Sequence, residues 1–556
     1  MLLAFTMVLG MTMTASAETV TKPLASDDTA VTVKNVEAKV SEGKNTVNVT
    51  AYQVIDAKYN DYGFLGYVDV ADIDNTKSDL GLVAGTYMVE SERLTSDQVT
   101  KIAKDIIENN VTLASVPLTT AATEGLATYT ADLTAGYWIV LVSGTVDEVY
   151  NPMLVGVYYD VETETGSNGT VTTKPVDANT KWSLTTTNAY AKSTAPTFNK
   201  SIVDKDGNIN KDGNDNGQNA AYGDKIYFKL DNMKIPSYSK EYTEVTLKIA
   251  DTLSGGLTLN KDSITITVGD APLAASNYTL VTDDQSFTIT IHSDYVLKVD
   301  NTTNLLENAD KNIVVTYSAS VDENAPYNFD ENSNTAKLIY SNDPTNKDNV
   351  KEVEDKTYVY TFGIDGRLNG EKSKITKELF KVDENGKVTV SEKEVTVTSP
   401  LEGATFTLTR TDAPANFTGK TVYTATSDKN GALKYTGLDA GTYTLVETAA
   451  PTGYSINAEP HTVVISAEYN EDGTLASYTV TIDGEATSTY TATYDSTTKE
   501  ITTIDKTAIG AVGITNTKLI NLPSTGGIGT TIFTIAGCGI MIAAAFFFFA
   551  SRKKEN

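Results

Sequence analysis

From Val31 onward, short runs of valine, threonine, tyrosine and isoleucine alternate with polar residues and are broken by Asn, Asp and Gly. Thr46–Thr50, Tyr137–Val142 and Ser263–Val268 are examples. Residues two apart share a face of a strand, so alternation over five to eight residues predicts strands with one buried face. Many such strands in succession predict β-sandwiches. One stretch has the other period. Thr95-Ser96-Asp97-Gln98 reads as a helix cap, and Val99, Ile102, Ala103 and Ile106 recur on one face of a run to Asn109. The pattern divides the chain into a first domain over 18–190, a second over 196–355 and a third over 357–519. The short, proline-bearing stretch Lys192–Pro196 separates the first two as a linker.

The two ends break the alternation. Met1–Ala17 is apolar and closes on Ala15-Ser16-Ala17, as a cleaved secretory signal peptide does; it lacks the usual basic n-region, so a start upstream of Met1 stays open. Ile528–Ala550 is uncharged and is followed by Arg552-Lys553-Lys554. At about 1.5 Å per residue this run spans a bilayer core, and the basic tail keeps its end inside. Just ahead of it stands Leu522-Pro523-Ser524-Thr525-Gly526.

Composition adds three constraints. A formal charge of −28 over 556 residues argues against nucleic acid or an anionic membrane as partner. The single cysteine, Cys538, lies in the apolar run, so the exported part has no disulfide. Two histidines, His292 and His461, and no serine-hydrolase, zinc or phosphate-loop pattern leave no sign of a turnover enzyme or a cofactor. Asp204–Gly217 is rich in oxygen ligands, but no register gives both the glycine and the acid of a calcium loop, so it reads as a solvated turn and no metal is expected.

The pentapeptide, span and basic tail in this order resemble the LPXTG sorting signal of Gram-positive surface proteins. In the third domain, Leu401–Leu408 and Gly441–Tyr454 resemble the two signature stretches of CnaB-type modules, the second being the "E-box" of pilins. Together they make the mature chain resemble an isopeptide-forming fimbrial shaft pilin. The fold this implies is mainly β: elongated, tandem immunoglobulin-like sandwiches with a cleaved signal peptide and a C-terminal transmembrane sorting segment over 521–556.

Strand faces supply candidate chemistry. Tyr443, Leu445 and Glu447 share a face, as do Val512, Ile514 and Asn516, and as do Ile375, Leu379 and Lys381, with Lys377 as a rival lysine. Burial lowers a lysine's pKa and raises a carboxylic acid's. The neutral amine is then a nucleophile, and the protonated acid can polarise an amide carbonyl. Attack of Lys381 on the Asn516 amide, with Glu447 relaying protons, would release ammonia and leave an amide cross-link, as in the family this sequence resembles.

The second domain repeats the logic. Lys200 lies in phase with Phe198 and Ile202, and Asp251 with Val245, Leu247 and Ile249. Asn332 and Asn334 both lie in phase with Ala336, Leu338 and Tyr340; the family form Asn-x-Ala-x-Leu favours Asn334. The first domain offers no comparable trio. Asn188–Ser193 resembles the pilin motif whose lysine accepts the sortase acyl group, here Lys192, although Ala191 stands where proline is usual; Lys174 and Lys181 are rivals.

The resemblance implies the repeating shaft subunit of a covalent pilus on a Gram-positive surface. Its partners would be further copies of itself, pilin-specific and housekeeping sortases, peptidoglycan, accessory pilins and host ligands. Sortase would cleave between Thr525 and Gly526 and join Thr525 to Lys192 of the next subunit. The rival readings are a monomeric adhesin fixed to peptidoglycan and a minor pilin at tip or base.

Overall fold

The computed structural model describes residues 18–516, except 42–43, 61–62, 70–93, 166–170, 174–181, 210–214, 372–374, 383–387, 396–397, 509–513 and a few single positions. The signal peptide, the sorting pentapeptide, the apolar run, Lys174 and Lys181 therefore lie outside the described residues. Among the described residues no helix is long and apolar enough to cross a membrane.

The described chain is overwhelmingly strand, arranged around three hydrophobic cores. In the first domain a seven-stranded sheet is built around Val47–Asn60 and Gly136–Gly144, and a smaller sheet pairs Asp28–Glu37 with Leu126–Thr134. The helix spans Ser96–Ile107 and buries Val99, Ile102, Ala103 and Ile106. Asn109 ends it in the left-handed region at φ 57°, which an asparagine tolerates.

The expected linker is woven into the first domain. Ala189–Tyr190 pairs in parallel with Val33–Lys34, and Ser193–Thr194 pairs antiparallel with Val149–Tyr150. Polar, proline-bearing composition suggested a free segment, but its backbone groups are taken up by neighbouring strands.

The second domain is a sandwich of two six-stranded sheets. One carries Asn199–Val203, Lys225–Lys234 and Asn312–Val321; the other carries Leu247–Leu253, Asn332–Ser341 and Val350–Tyr360. Pairing along the last of these persists to Val359, opposite Asn332, so the second sheet continues past Asp355. Only Thr361 separates it from the first strand of the third domain, Phe362–Glu371.

Both junctions are tightly joined. Asp147 of the first domain forms ion pairs with Lys39 and with Lys351 of the second, and Tyr340 donates to its carbonyl at 2.7 Å. At the other end Tyr222 lies on Gly437, its N–H donating to the glycine carbonyl at 3.0 Å. Asn219 donates to the buried Asp439, which also pairs with Arg410 of the third domain.

Candidate functional site

The sequence Asn199–Val203 forms an edge strand with Lys200 and Ile202 fully buried on one face. Across the core, Leu247–Leu253 alternates so that Leu247, Ile249, Asp251 and Leu253 point inward. Asn332, Asn334, Ala336 and Leu338 do the same on the adjacent strand. In that pairing Asp251 faces Ala336 and Leu253 faces Asn334, which makes Asp251 and Asn334 diagonal neighbours on one face. Two-residue periodicity thus delivers three polar side chains from two sheets to one point.

There they meet a fourth residue. Lys200 Nζ donates to Asp251 Oδ2 and, at 2.6 Å, to the Tyr317 hydroxyl. Tyr317 donates to Asp251 Oδ2 at 2.5 Å, and Asn334 Nδ2 donates to the Tyr317 oxygen at 3.0 Å. The four residues are 0–2% exposed. Phe228 stacks on the Tyr317 ring and Phe287 meets it edge-on. The Lys200 ammonium position lies 5.1 Å from the Phe228 ring centre. The backbone N–H of Lys200 donates to Asp355 at 2.7 Å, which fixes the strand that carries it.

Desolvation dominates the electrostatics. Burial pushes the Lys200 amine below the ordinary lysine range despite the pull of Asp251 and Asp355. Burial also pushes the Asp251 carboxyl up, against hydrogen bonds from Lys200, Tyr317 and Asn334. The Tyr317 phenol is raised well above its usual range by burial and by the neighbouring Asp251. Both members of the Lys–Asp pair are thereby driven toward their neutral forms. Asp251 Oδ1 and Asn334 Oδ1 are buried with no hydrogen-bond partner, a costly state for two acceptors. A proton on the carboxyl would relieve it. The arrangement holds an amine, an amide and a carboxyl in one dry pocket, where burial favours the neutral forms of the amine and the carboxyl.

Asn332, left open as an alternative by the strand phase, is placed elsewhere. It is also fully buried, but its Nδ2 donates to the carbonyls of Pro326 and Val359. Tyr317 is the residue that sequence reading missed. Its only signal was its phase on the strand Asn312–Val321, shared with Ile313, Val315 and Ala319, and such a tyrosine reads as core.

The third domain is less completely assembled among the described residues. Glu447 is buried beside Tyr443 and Leu445, pairs in register with Phe406 and accepts the Asn457 N–H. Asn516 lies on Ile514–Asn516, which runs parallel to Phe362–Glu371 with Asn516 opposite Gly370. Lys381 lies on Ile375–Val382, a strand paired only with Val388–Val395 among the described strands. The first strand of this domain is thus one earlier than the strand of Lys381, and the described backbone pairing does not bring Lys381 beside Asn516. The side chains of Lys377, Lys381 and Asn516 lie outside the described residues.

Lys192 occupies a different setting. Its side chain is exposed, while its carbonyl accepts the Asn151 N–H at 3.3 Å. It opens on a groove of about 550 Å³ where the first domain, through Asn151 and Glu148, meets Ser237 and Asp310 of the second. In the stretch 204–217, Asp204 accepts the backbone N–H groups of Asp206 and Asn208, as a turn does.

Comparison with known proteins now identifies the parts. Residues 222–344 match the family described as Gram-positive pilin backbone subunit 2, Cna-B-like domain. Residues 386–481 match the SpaA prealbumin-like fold domain, and 514–556 the LPXTG cell wall anchor motif. The chain is a wall-anchored backbone pilin. It is 27% identical to the trypsin-resistant surface T6 protein of Streptococcus pyogenes serotype M6, with 96% of each chain covered. Its fold is similar to that of the three-domain T6 backbone pilin of that organism, at a TM-score of 0.54 and 20% identity, covering 90% of this chain and 100% of the other. The major pilin SpaA of Corynebacterium diphtheriae is also similar, at a TM-score of 0.42 and 17% identity, with 88% and 100% covered. The pilin's place is the surface of a Gram-positive cell, where its anchor makes it a sortase substrate attached to peptidoglycan.

Proposed function

We propose that this pilin is the shaft subunit of a covalent fibre held together by two kinds of amide bond. One kind is internal and forms without an enzyme. In the second domain, Lys200 Nζ attacks Cγ of Asn334, the Cγ–Nδ2 bond breaks, and ammonia leaves. Asp251 in its protonated form polarises the amide carbonyl and handles the proton. The observation that carries this reading is the Lys200–Asp251–Asn334 cluster, buried at 0–1% exposure. A lysine held there in its charged form would cost several kcal/mol, and the neutral form is a nucleophile. A second internal bond, between Lys381 and Asn516 with Glu447 as the acid, is proposed for the third domain. The burial of Glu447 and the resemblance of its strand to the E-box support it.

The other kind of bond joins subunits. A pilin-specific sortase would cleave after Thr525 and pass the acyl group to Lys192 of the next copy, and a housekeeping sortase would transfer the finished fibre to peptidoglycan. The exposure of Lys192 in an inter-domain groove supports its reach to a bulky enzyme thioester, in contrast to Lys200. Head-to-tail contacts that do not close generate a fibre. The test is a denaturing gel of cell-wall extract from cells that carry their own sortases. Wild type should give a high-mass ladder and Lys192→Ala only anchored or released monomer. A ladder that survives Lys192→Ala moves the acceptor to another lysine, with Lys174 and Lys181 next. A wild type with no ladder makes the chain an anchored adhesin instead.

A further inference from the structure

We propose that Tyr317 is a catalytic residue of the internal cross-linking reaction, carrying a proton from the attacking amine to the departing one. The inference rests on the Lys200–Asn334 bond proposed above and adds a residue to it. The proton balance of that bond is unequal at the two nitrogens. Lys200 Nζ enters as a neutral amine with two hydrogens and ends as an amide nitrogen with one. Asn334 Nδ2 enters with two and must leave as ammonia with three. One proton therefore crosses from Nζ to Nδ2.

The Tyr317 oxygen stands within hydrogen-bond distance of both nitrogens, 2.6 Å from Nζ and 3.0 Å from Nδ2. As the new bond forms, the hydroxyl takes the proton that Nζ sheds and gives its own to Nδ2. It ends as it began. Passing both protons together avoids a free phenolate, which burial and Asp251 strongly disfavour. Asp251, bonded to both Nζ and the phenol, remains free to hold its proton against the carbonyl side of the amide. Two aromatic neighbours fix the ring in this position, Phe228 stacking on it at 5.2 Å and Phe287 abutting it at 4.8 Å between centroids. A tyrosine kept only for packing would need a partner for its hydroxyl, but not the two reacting nitrogens and the acid together.

The test uses the full chain, isolated unreacted under denaturing conditions and refolded by dilution. The proteolytic fragment that joins Lys200 to Asn334 is followed by mass against time. Tyr317→Phe keeps both ring contacts and removes the hydroxyl; it should slow cross-linking by about a hundredfold, while protection of the second domain from timed proteolysis, which needs no tryptophan there, returns at the wild-type rate. A fluorinated tyrosine placed at 317 preserves shape and makes the phenol more acidic. It should restore cross-linking with a rate changed by about threefold or more. Wild-type rates in Tyr317→Phe overturn the relay and leave Asp251 as the sole proton carrier. Should Tyr317→Phe fail to fold, the fluorinated chain decides alone: an unchanged rate overturns the proposal. A wild-type chain that yields no joined fragment overturns the bond itself, a result distinguishable from loss of the relay only.

Discussion

Lys200 and Asn334 belong to opposite sheets of the second sandwich, and the Tyr317 hydroxyl lies within hydrogen-bond distance of both, at 2.6 and 3.0 Å. The proposed amide at this point would tie sheet to sheet through the core. It would play the part that a disulfide plays in other exported sandwiches, in a chain whose only cysteine is Cys538. Tension along the fibre would then pass through a covalent bond and not through the hydrogen-bond ladders alone.

Such a tie closes a loop of about 135 residues, worth about 5 kcal/mol if disulfide arithmetic transfers. Asn334→Ala should therefore melt the second domain at a clearly lower temperature and admit trypsin, both readable by calorimetry and timed digestion. Unchanged melting and resistance would mean that the wild-type domain carries no cross-link.

Asp251→Ala should prevent the bond while the sandwich still forms. The burial that pushes the Lys200 amine toward neutrality remains, but the acid that polarises the amide is gone. Circular dichroism should show a native strand content and mass spectrometry the full, unreacted mass of the second domain.

The reaction should be insensitive to pH over a wide range. Burial lowers Lys200 and raises Asp251, and the neutral, reactive form of the folded pair that these shifts favour holds one proton, on the acid. The unfolded pair between about pH 4 and 10 also holds one proton, on the lysine. The proton counts match, so neither stability nor the reactive fraction changes across that window. Below about pH 4 the unfolded Asp251 takes a second proton and stability is lost; above about pH 10 the unfolded lysine gives up its own and stability is again lost. Refolding and cross-linking rates measured in steps across this range should trace a plateau. A bell centred near neutrality would contradict it.

The junction between the first two domains should behave differently. Burial pushes the Asp147 carboxyl up, but Lys351 and Lys39 outweigh it and hold the group below the usual carboxylate range. A depressed folded pKa contributes stability above the unfolded value, near pH 4, that is lost as pH falls through the folded one. Asp147→Asn should loosen this junction at neutral pH and abolish its acid response, seen as a change in domain spacing by small-angle scattering.

At the other junction, Gly437 has φ +71° and a Cβ there would fall 2.1 Å from the Tyr222 ring. Gly437→Ala should displace Tyr222 and cost about 1–3 kcal/mol. Calorimetry of the full chain should then resolve the second and third domains as separate transitions.

How much of this was legible in the sequence depends on what each residue's pattern carries. Alternation marks inward faces, and that is why Lys200, Asp251 and Asn334 stand out: each is a polar residue in an apolar phase. Tyr317 obeys its phase as a core residue should, and only the register Phe228–Tyr317 on the neighbouring strands reveals its hydroxyl among the others. Asn332 and Asn334 share a phase, and periodicity alone cannot separate them; the diagonal neighbour Asp251 does. The weave of Ala189–Tyr190 into the first domain depends on a strand more than a hundred residues earlier in the chain, at Val33–Lys34, which no local composition reports. The parallel pairing of Asn516 with Gly370 is likewise non-local.

The most direct measurement is the mass of one fragment. The wild-type chain, folded and digested, should yield a peptide in which the segments carrying Lys200 and Asn334 are joined, lighter than their sum by one ammonia, about 17 Da. The same two segments recovered separately, each at its full mass, would contradict the account.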